Sequence, residues 1–248
     1  MAHGRHARSV RCRGWSGLTS IRSDRVEVNA IHRSLRTLVT FACVFLAVIA
    51  AHADTRPAPL DALAASFGGW APLREVRTFA YRLTRIDAQG AVTGDERYRL
   101  DLETGAVWSR DLCTGVETWW DGSAGWRRAK PGEKPAKDEA AGARLRSHAA
   151  FNFLRLLRDP ATRAEWTGER RIRLTPAGEE AFEVELDPSS GRIVANHFAG
   201  GFVSDEADYQ PVGALVWPME FRVPGAKAFT GRFSEVELLR EAALPALR

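Results

Sequence analysis

The sequence predicts an α+β protein: one antiparallel sheet of about ten to eleven strands, curled into a half-open barrel with helices filling its mouth. Three observations predict it. Short runs of period-two alternation recur between tight turn sequences along residues 79–238. Helical periodicity is confined to two stretches, one near the start of this region and one in its middle. A sheet of that many strands must curl, and helices at its open side are an economical cover.

Pro59 to Phe67 reads as a short helix, with Leu60, Leu63 and Phe67 at helical spacing and Gly68-Gly69 ending it. Phe79, Tyr81 and Leu83 alternate with Ala80, Arg82 and Thr84 as a half-buried strand, and Asp87-Ala88-Gln89-Gly90 is turn chemistry. Tyr98, Leu100 and Leu102 alternate again before Glu103-Thr104-Gly105 turns the chain into Ala106-Val107-Trp108. Asp121 to Gly125 separates Trp119-Trp120 from Trp126. A charged, proline-bearing loop over 130–142 leads into the longest predicted helix, Ala143 to Asp159, stopped by Pro160. Leu145, Ala149, Phe153, Leu156 and Leu157 form its apolar stripe, thickened by Phe151 and Leu154, so a sheet should cover it. Strands resume at Ile172 and Leu174. Phe182, Val184 and Leu186 show the clearest alternation, and Asp187 to Gly191 is a hairpin loop returning through Ile193 to Ala195. Met219, Phe221 and Val223 form a further strand, and Phe229 to Leu238 the last.

Ahead of this region, Arg33 and Arg36 precede an apolar run, Leu38 to Ala51, closed by Ala51-His52-Ala53 and followed by polar residues. That is the pattern of a secretory signal peptide with core 33–53 and cleavage after Ala53. The run is shorter than the ~20 residues that span a bilayer as a helix. The expectation is a single domain over 54–248 in the periplasm, soluble and without a stable transmembrane anchor; the competing reading is an uncleaved N-terminal anchor. Residues 1–30 fit neither a fold nor a usual leader, and translation is expected to start further in, for example at Val28.

Residues 1–53 hold eight of the 35 basic and two of the 31 acidic side chains, leaving 27 against 29 and a formal charge of −2. The basic excess belongs to the leader and does not argue for nucleic acid as a partner. Cys12 and Cys43 also fall there, so Cys113 stands alone and no internal disulfide is available.

Catalytic constellations are weak. The two histidines of the domain, His148 and His197, lack metal-ligand spacing and read as structural. Cys113 with His197 could pair as nucleophile and base, yet nothing local would activate the thiol. Glu183 and Glu185 share a strand face and read as solvated. Asp205-Glu206-Ala207-Asp208 lacks the glycine and spacing of a calcium loop. No phosphate loop or nucleophile elbow occurs. No catalytic residue, metal or cofactor is expected.

Seven tryptophans belong to the domain, four of them between 108 and 126 on adjacent predicted strands. They could pack a core, or line a cavity for an apolar ligand. Trp119 and Trp120 cannot both face inward on one regular strand, so one points outward or marks a bulge.

The second half resembles a known family. Glu180 to Val194 is similar to a strand, an Asp-Pro-x-x-Gly hairpin and a return strand; Asp208 to Pro218 resembles an Asp-Tyr-x-x-Val-x-Gly-…-Pro segment, Phe229 to Leu238 the closing strand, and Asp121 to Trp126 an earlier turn. Together they resemble the outer-membrane lipoprotein-sorting proteins, the LolA/LolB-like superfamily of periplasmic carriers. The resemblance implies a strongly curved antiparallel sheet with helices covering its concave face and a cavity for acyl chains. Trp108, Trp120, Phe182, Val184, Trp217, Met219 and Phe221 then become candidate wall residues, and Phe153 and Leu157 candidate lid residues. The expected function is a non-enzymatic carrier or sensor whose partner is a lipid or lipidated protein. The alternative is an interaction module for another envelope protein, using a sheet edge or exposed tryptophans, and a hydrolase ranks last.

Overall fold

A computed structural model describes residues 57–247. The predicted leader, its cleavage point after Ala53 and the internal start lie outside the described residues.

Two short helices open the domain, α1 (Pro59–Ser66) and α2 (Trp70–Glu75). They are followed by β1 (Thr78–Asp87), β2 (Val92–Asp101), β3 (Val107–Asp111), β4 (Glu117–Trp120), β5 (Gly125–Arg128) and β6 (Ala136–Lys137). Helices α3 (Glu139–Ala150) and α4 (Phe153–Leu156) come next. The second half holds β7 (Arg163–Trp166), β8 (Arg171–Thr175), β9 (Phe182–Leu186), β10 (Ile193–His197), a 3-10 turn at Ala199–Gly201, β11 (Val203–Val212), β12 (Leu215–Val223) and β13 (Phe229–Leu239).

All thirteen strands form one sheet in the order β6-β5-β4-β3-β2-β1-β13-β12-β11-β10-β9-β8-β7. The strand count therefore exceeds the ten to eleven predicted; β6, β7 and β11 were not foreseen. The topology explains where the helices lie. Each half is a meander, the first running from β1 out to the edge at β6, the second returning from the edge at β7 to β13, which pairs with β1. Residues 138–162 must connect the two edges, so α3 and α4 cross one face of the sheet. There α3 packs on β3, β4 and β5.

The hairpins rest on aspartates. Asp101, Asp111, Asp121 and Asp187 each accept hydrogen bonds at Oδ1 from two backbone N–H groups two and three residues on, at 2.8–3.0 Å. This turn fixes strand register locally. Hydrogen bonds from the Ser189 and Ser190 groups hold the Asp187 carboxyl down at about 2. Cys113 sits in the Asp111 turn, exposed. His197 on β10 lies six strand positions away in the sheet order, so the two form no nucleophile–base pair.

The predicted helix 143–159 is two helices. It begins earlier, capped by Asp138, whose carboxylate accepts from Ala141 N at 2.9 Å. It breaks at Phe151-Asn152, where the buried Asn152 side chain accepts from Leu154 N at 3.1 Å and Arg155 N at 3.3 Å. The break lets Phe153 and Leu154 turn inward while Phe151 packs edge-on against Phe182. Asn152→Ala is expected to lower stability by about 1 kcal/mol in urea unfolding, the usual cost of an N-cap.

One face of the sheet is covered by the helices, and the other is covered in part. On the helix-bearing face, Phe79, Tyr81, Leu83, Tyr98 and Leu100 join Leu63, Phe67, Leu145 and Leu154 in one buried cluster. On the opposite face the C-terminal residues run back over β1, β2 and β4. Thr78 Oγ1 donates to Glu241 O (2.7 Å), Arg99 Nη1 to Ala243 O (2.8 Å) and Trp119 Nε1 to Pro245 O (3.2 Å).

Candidate functional site

One row across the sheet defines the site. Arg85 on β1 stands opposite Gly231 on β13, Gly231 opposite Phe221 on β12, and Phe221 opposite Glu206 on β11. Directly opposed residues of antiparallel strands share a face, and here it is the face that α3 crosses. Gly231 has no side chain for a reason: a Cβ there would fall inside contact distance of the Phe221 ring. The ring therefore lies against the glycine, as a floor between Arg85 and Glu206.

Above this floor is a cavity of about 420 Å³ between the sheet and residues of α3 and α4. Ten aromatic side chains line it: Tyr81, Tyr98, Phe151, Phe153, Phe198, Phe202, Trp217, Phe221, Phe229 and Phe233. They support one another through ring contacts, such as Tyr81 with Phe233 at 5.3 Å and Phe221 with Phe233 at 5.7 Å. Phe202, 46% exposed, stands beside Phe198 on the 3-10 turn.

One end of the cavity is cationic. Glu96 accepts from Arg144 Nη1 at 2.8 Å, from Tyr98 Oη at 2.6 Å, and pairs with Arg85 at 3.2 Å. Burial alone would raise the Glu96 carboxyl, but these hydrogen bonds and the two guanidinium groups hold it low. Two arginines against one carboxylate leave a net positive charge. His148 stacks on Tyr98 at 4.4 Å and bonds Tyr81 through Nε2. Burial, reinforced by Arg144 and Arg85, lowers the His148 imidazole to about 4, so it is neutral at pH 7. Arg144 also borders a second, polar cavity of about 520 Å³, with Asp111, Arg127 and Asp138 among its walls.

The other end is polar but uncharged at neutral pH. Glu206 accepts at Oε1 from Asn196 Nδ2 at 2.6 Å and Ser204 Oγ at 3.3 Å. Burial outweighs both bonds and raises its carboxyl to about 8.

Of the residues singled out from the sequence, Phe153, Trp217 and Phe221 line the cavity. Leu157, Phe182 and Val184 are buried in the core without lining it, Phe182 by stacking against Phe198 at 5.1 Å. Met219 is half-buried against the core. Trp120 faces α3, but in a separate recess beside Gly125 and Gly142. Trp108 is a correction. It stands opposite Arg99 and Trp119, and Trp119 opposite Trp126, so these three tryptophans form a row on the face away from the cavity. Of the seven tryptophans, Trp217 alone lines the cavity.

Sequence reasoning missed Tyr98, Arg144 and Glu206 as site residues. Tyr81 and Tyr98 carried a signal as inward strand positions. Glu206 carried none beyond an acidic run: alternation turns Glu206 inward and Asp205 outward, while Asp208, at φ 52°, is exposed. Among the described residues no group of three or more metal-ligating side chains forms, and no helix is long and apolar enough to cross a membrane.

No protein-family model matches the chain, and no curated protein matches it significantly. Among solved structures it is similar to a LolA superfamily protein from Nitrosomonas europaea, at 10% identity over 75% of this chain and 93% of that one, with a TM-score of 0.47. It is also similar to a DUF1329 family protein from Desulfovibrio piger, at 8% identity over 73% of this chain and 91% of that one, with a TM-score of 0.47.

Proposed function

We propose that the protein is a non-enzymatic carrier or sensor that binds a lipid, an acyl chain or a lipidated protein in the aromatic cavity, in the periplasm after loss of its leader. The observation that carries this reading is the cavity itself, whose 420 Å³ falls in the ~300–1,000 Å³ range of ligand sites. A buried methylene contributes ~0.8 kcal/mol, so a dozen outweigh a good part of the association cost without a polar code. The cationic end, with Arg85 and Arg144 beside it, supplies a solvent-facing anchor for a headgroup.

The test is titration of delipidated protein with a fluorescent fatty-acid probe, paired with native mass spectrometry of protein purified from its own host. Saturable binding and a co-purifying lipid are expected. Phe221→Asp places a charge on the cavity floor and should weaken the probe at least about tenfold while circular dichroism stays unchanged. A folded wild type that takes up no probe and carries no lipid overturns the reading.

A further inference from the structure

The polar end of the cavity is built, not incidental. β10 and β11 set Asn196 directly opposite Ser204, with Glu206 two residues along the same strand. Asn196 is only 2% exposed, and its Nδ2 donates to Ser204 Oγ at 3.1 Å as well as to Glu206 Oε1. Its Oδ1 is buried and accepts no hydrogen bond, and Nε1 of Trp217, also lining the cavity, is buried and donates none. Buried polar atoms in folded proteins are nearly always paired. Two such atoms on residues that line one cavity point to a ligand that completes them.

The charges around Glu206 settle which kind of group that is. Asp205, its neighbour on β11, stands opposite Arg222 on the other face, and Arg222 pairs with Glu220 there. Across the floor, Arg85 lies three strand spacings away, about 14 Å between backbones, and is paired with Glu96. Arg144 and His148 descend from α3 at that same far end. No cation faces the Glu206 carboxyl among these elements, and burial favours its protonated form. Because Oε1 already accepts two hydrogen bonds, the proton belongs on Oε2. The subsite then presents a donor at Glu206 and an acceptor at Asn196 Oδ1.

We propose that Asn196, Ser204 and Glu206 form a polar subsite that binds an uncharged hydrogen-bonding group of the amphiphile, a hydroxyl or an ester or amide carbonyl. An anionic group would meet the lone pairs of Asn196 Oδ1 with no cation to balance it. This inference rests on the carrier reading and specifies its ligand: an acyl chain lying over Phe221 with a neutral polar group at the β10–β11 end.

The experiment is displacement of a fluorescent acyl probe from the full-length mature protein by a monoacylglycerol and a 1-chloroalkane of the same chain length. Wild type should prefer the monoacylglycerol about tenfold at pH 6.5, the contribution of one or two hydrogen bonds. Glu206→Gln, which remains neutral and can still donate, should keep that preference within about threefold. Glu206→Leu should collapse it below about twofold with the circular dichroism intact. Raising the pH from 6.5 to 9.5 should abolish the preference in wild type and spare it in Glu206→Gln, since His148 is silent over that range. Equal affinity of wild type for both ligands, or a preference that survives Glu206→Leu, overturns the subsite alone. Failure of every ligand and probe to bind overturns the carrier reading and the subsite together.

Discussion

Gly125→Ala is expected to destabilise the protein by about 3 kcal/mol, because it overpacks a contact that has no side chain to move. Gly125 begins β5 beside Trp120, and its carbonyl accepts from Asp138 N at 2.9 Å. A Cβ on it would intrude on the Cα and N of Gly142 and on the Asp138 carbonyl, all of them backbone atoms. The reciprocal change is nearly as tight, with a Cβ on Gly142 2.7 Å from Gly125 Cα and 2.8 Å from its N. Rotamer changes relieve neither clash, so α3 must lift away from the sheet. Because α3 carries Arg144, Leu145 and His148 over the cavity, probe affinity should fall along with the midpoint of urea unfolding. The double variant should cost less than the two single changes added, since both disturb one contact. An alanine at Gly125 that left unfolding within about 0.5 kcal/mol of wild type would show that the helix is not seated there.

Stability is expected to be flat between about pH 4.5 and 6.5 and to fall above that. Two buried groups set the shape. Glu206 titrates near 8 in the fold against an ordinary 4.5. Between those values the unfolded chain binds fewer protons, so stability present below 4.5 is lost as pH rises through 8, on the order of 5 kcal/mol. His148 titrates near 4 in the fold against an ordinary 6.5. There the unfolded chain binds more protons, so stability present above 6.5 is lost as pH falls through 4, on the order of 3 kcal/mol. The two slopes oppose each other over their shared range and cancel. From 6.5 to 8 only Glu206 acts, and stability declines. Glu206→Gln removes that decline, leaving a curve that rises to 6.5 and then holds, with the variant more stable than wild type at pH 8. Urea unfolding across this pH range checks it, and parallel curves for the two proteins would refute the role given to Glu206.

The parts of the fold legible in the sequence were those governed by neighbours along the chain. Phe79, Tyr81 and Leu83, and Phe182, Val184 and Leu186, announce strands because one face of each is apolar. The hairpin aspartates announce turns because their acceptors are only two and three residues from their donors. β11 stayed hidden for an equally physical reason. Its inward side chains include Ser204 and Glu206, so Val203–Val212 shows no apolar alternation. The property that conceals the strand is the one that makes it a wall of the polar subsite. Leu145 and Phe153 were visible as one apolar stripe, but the break at Asn152 was not, since a single capping side chain decides it.

By itself the sequence determined a large antiparallel sheet, its turns, and a helical segment rich in inward-facing apolar residues. Tertiary structure alone decided which rings meet. Alternation divides a strand into two faces without saying which one encloses a cavity where both are buried, as in β3. Trp108 and Trp119 are buried on the far side because the C-terminal residues fold back over them. Arg85, Gly231, Phe221 and Glu206 come from four strands spread over more than a hundred residues, and only their register places them in one row.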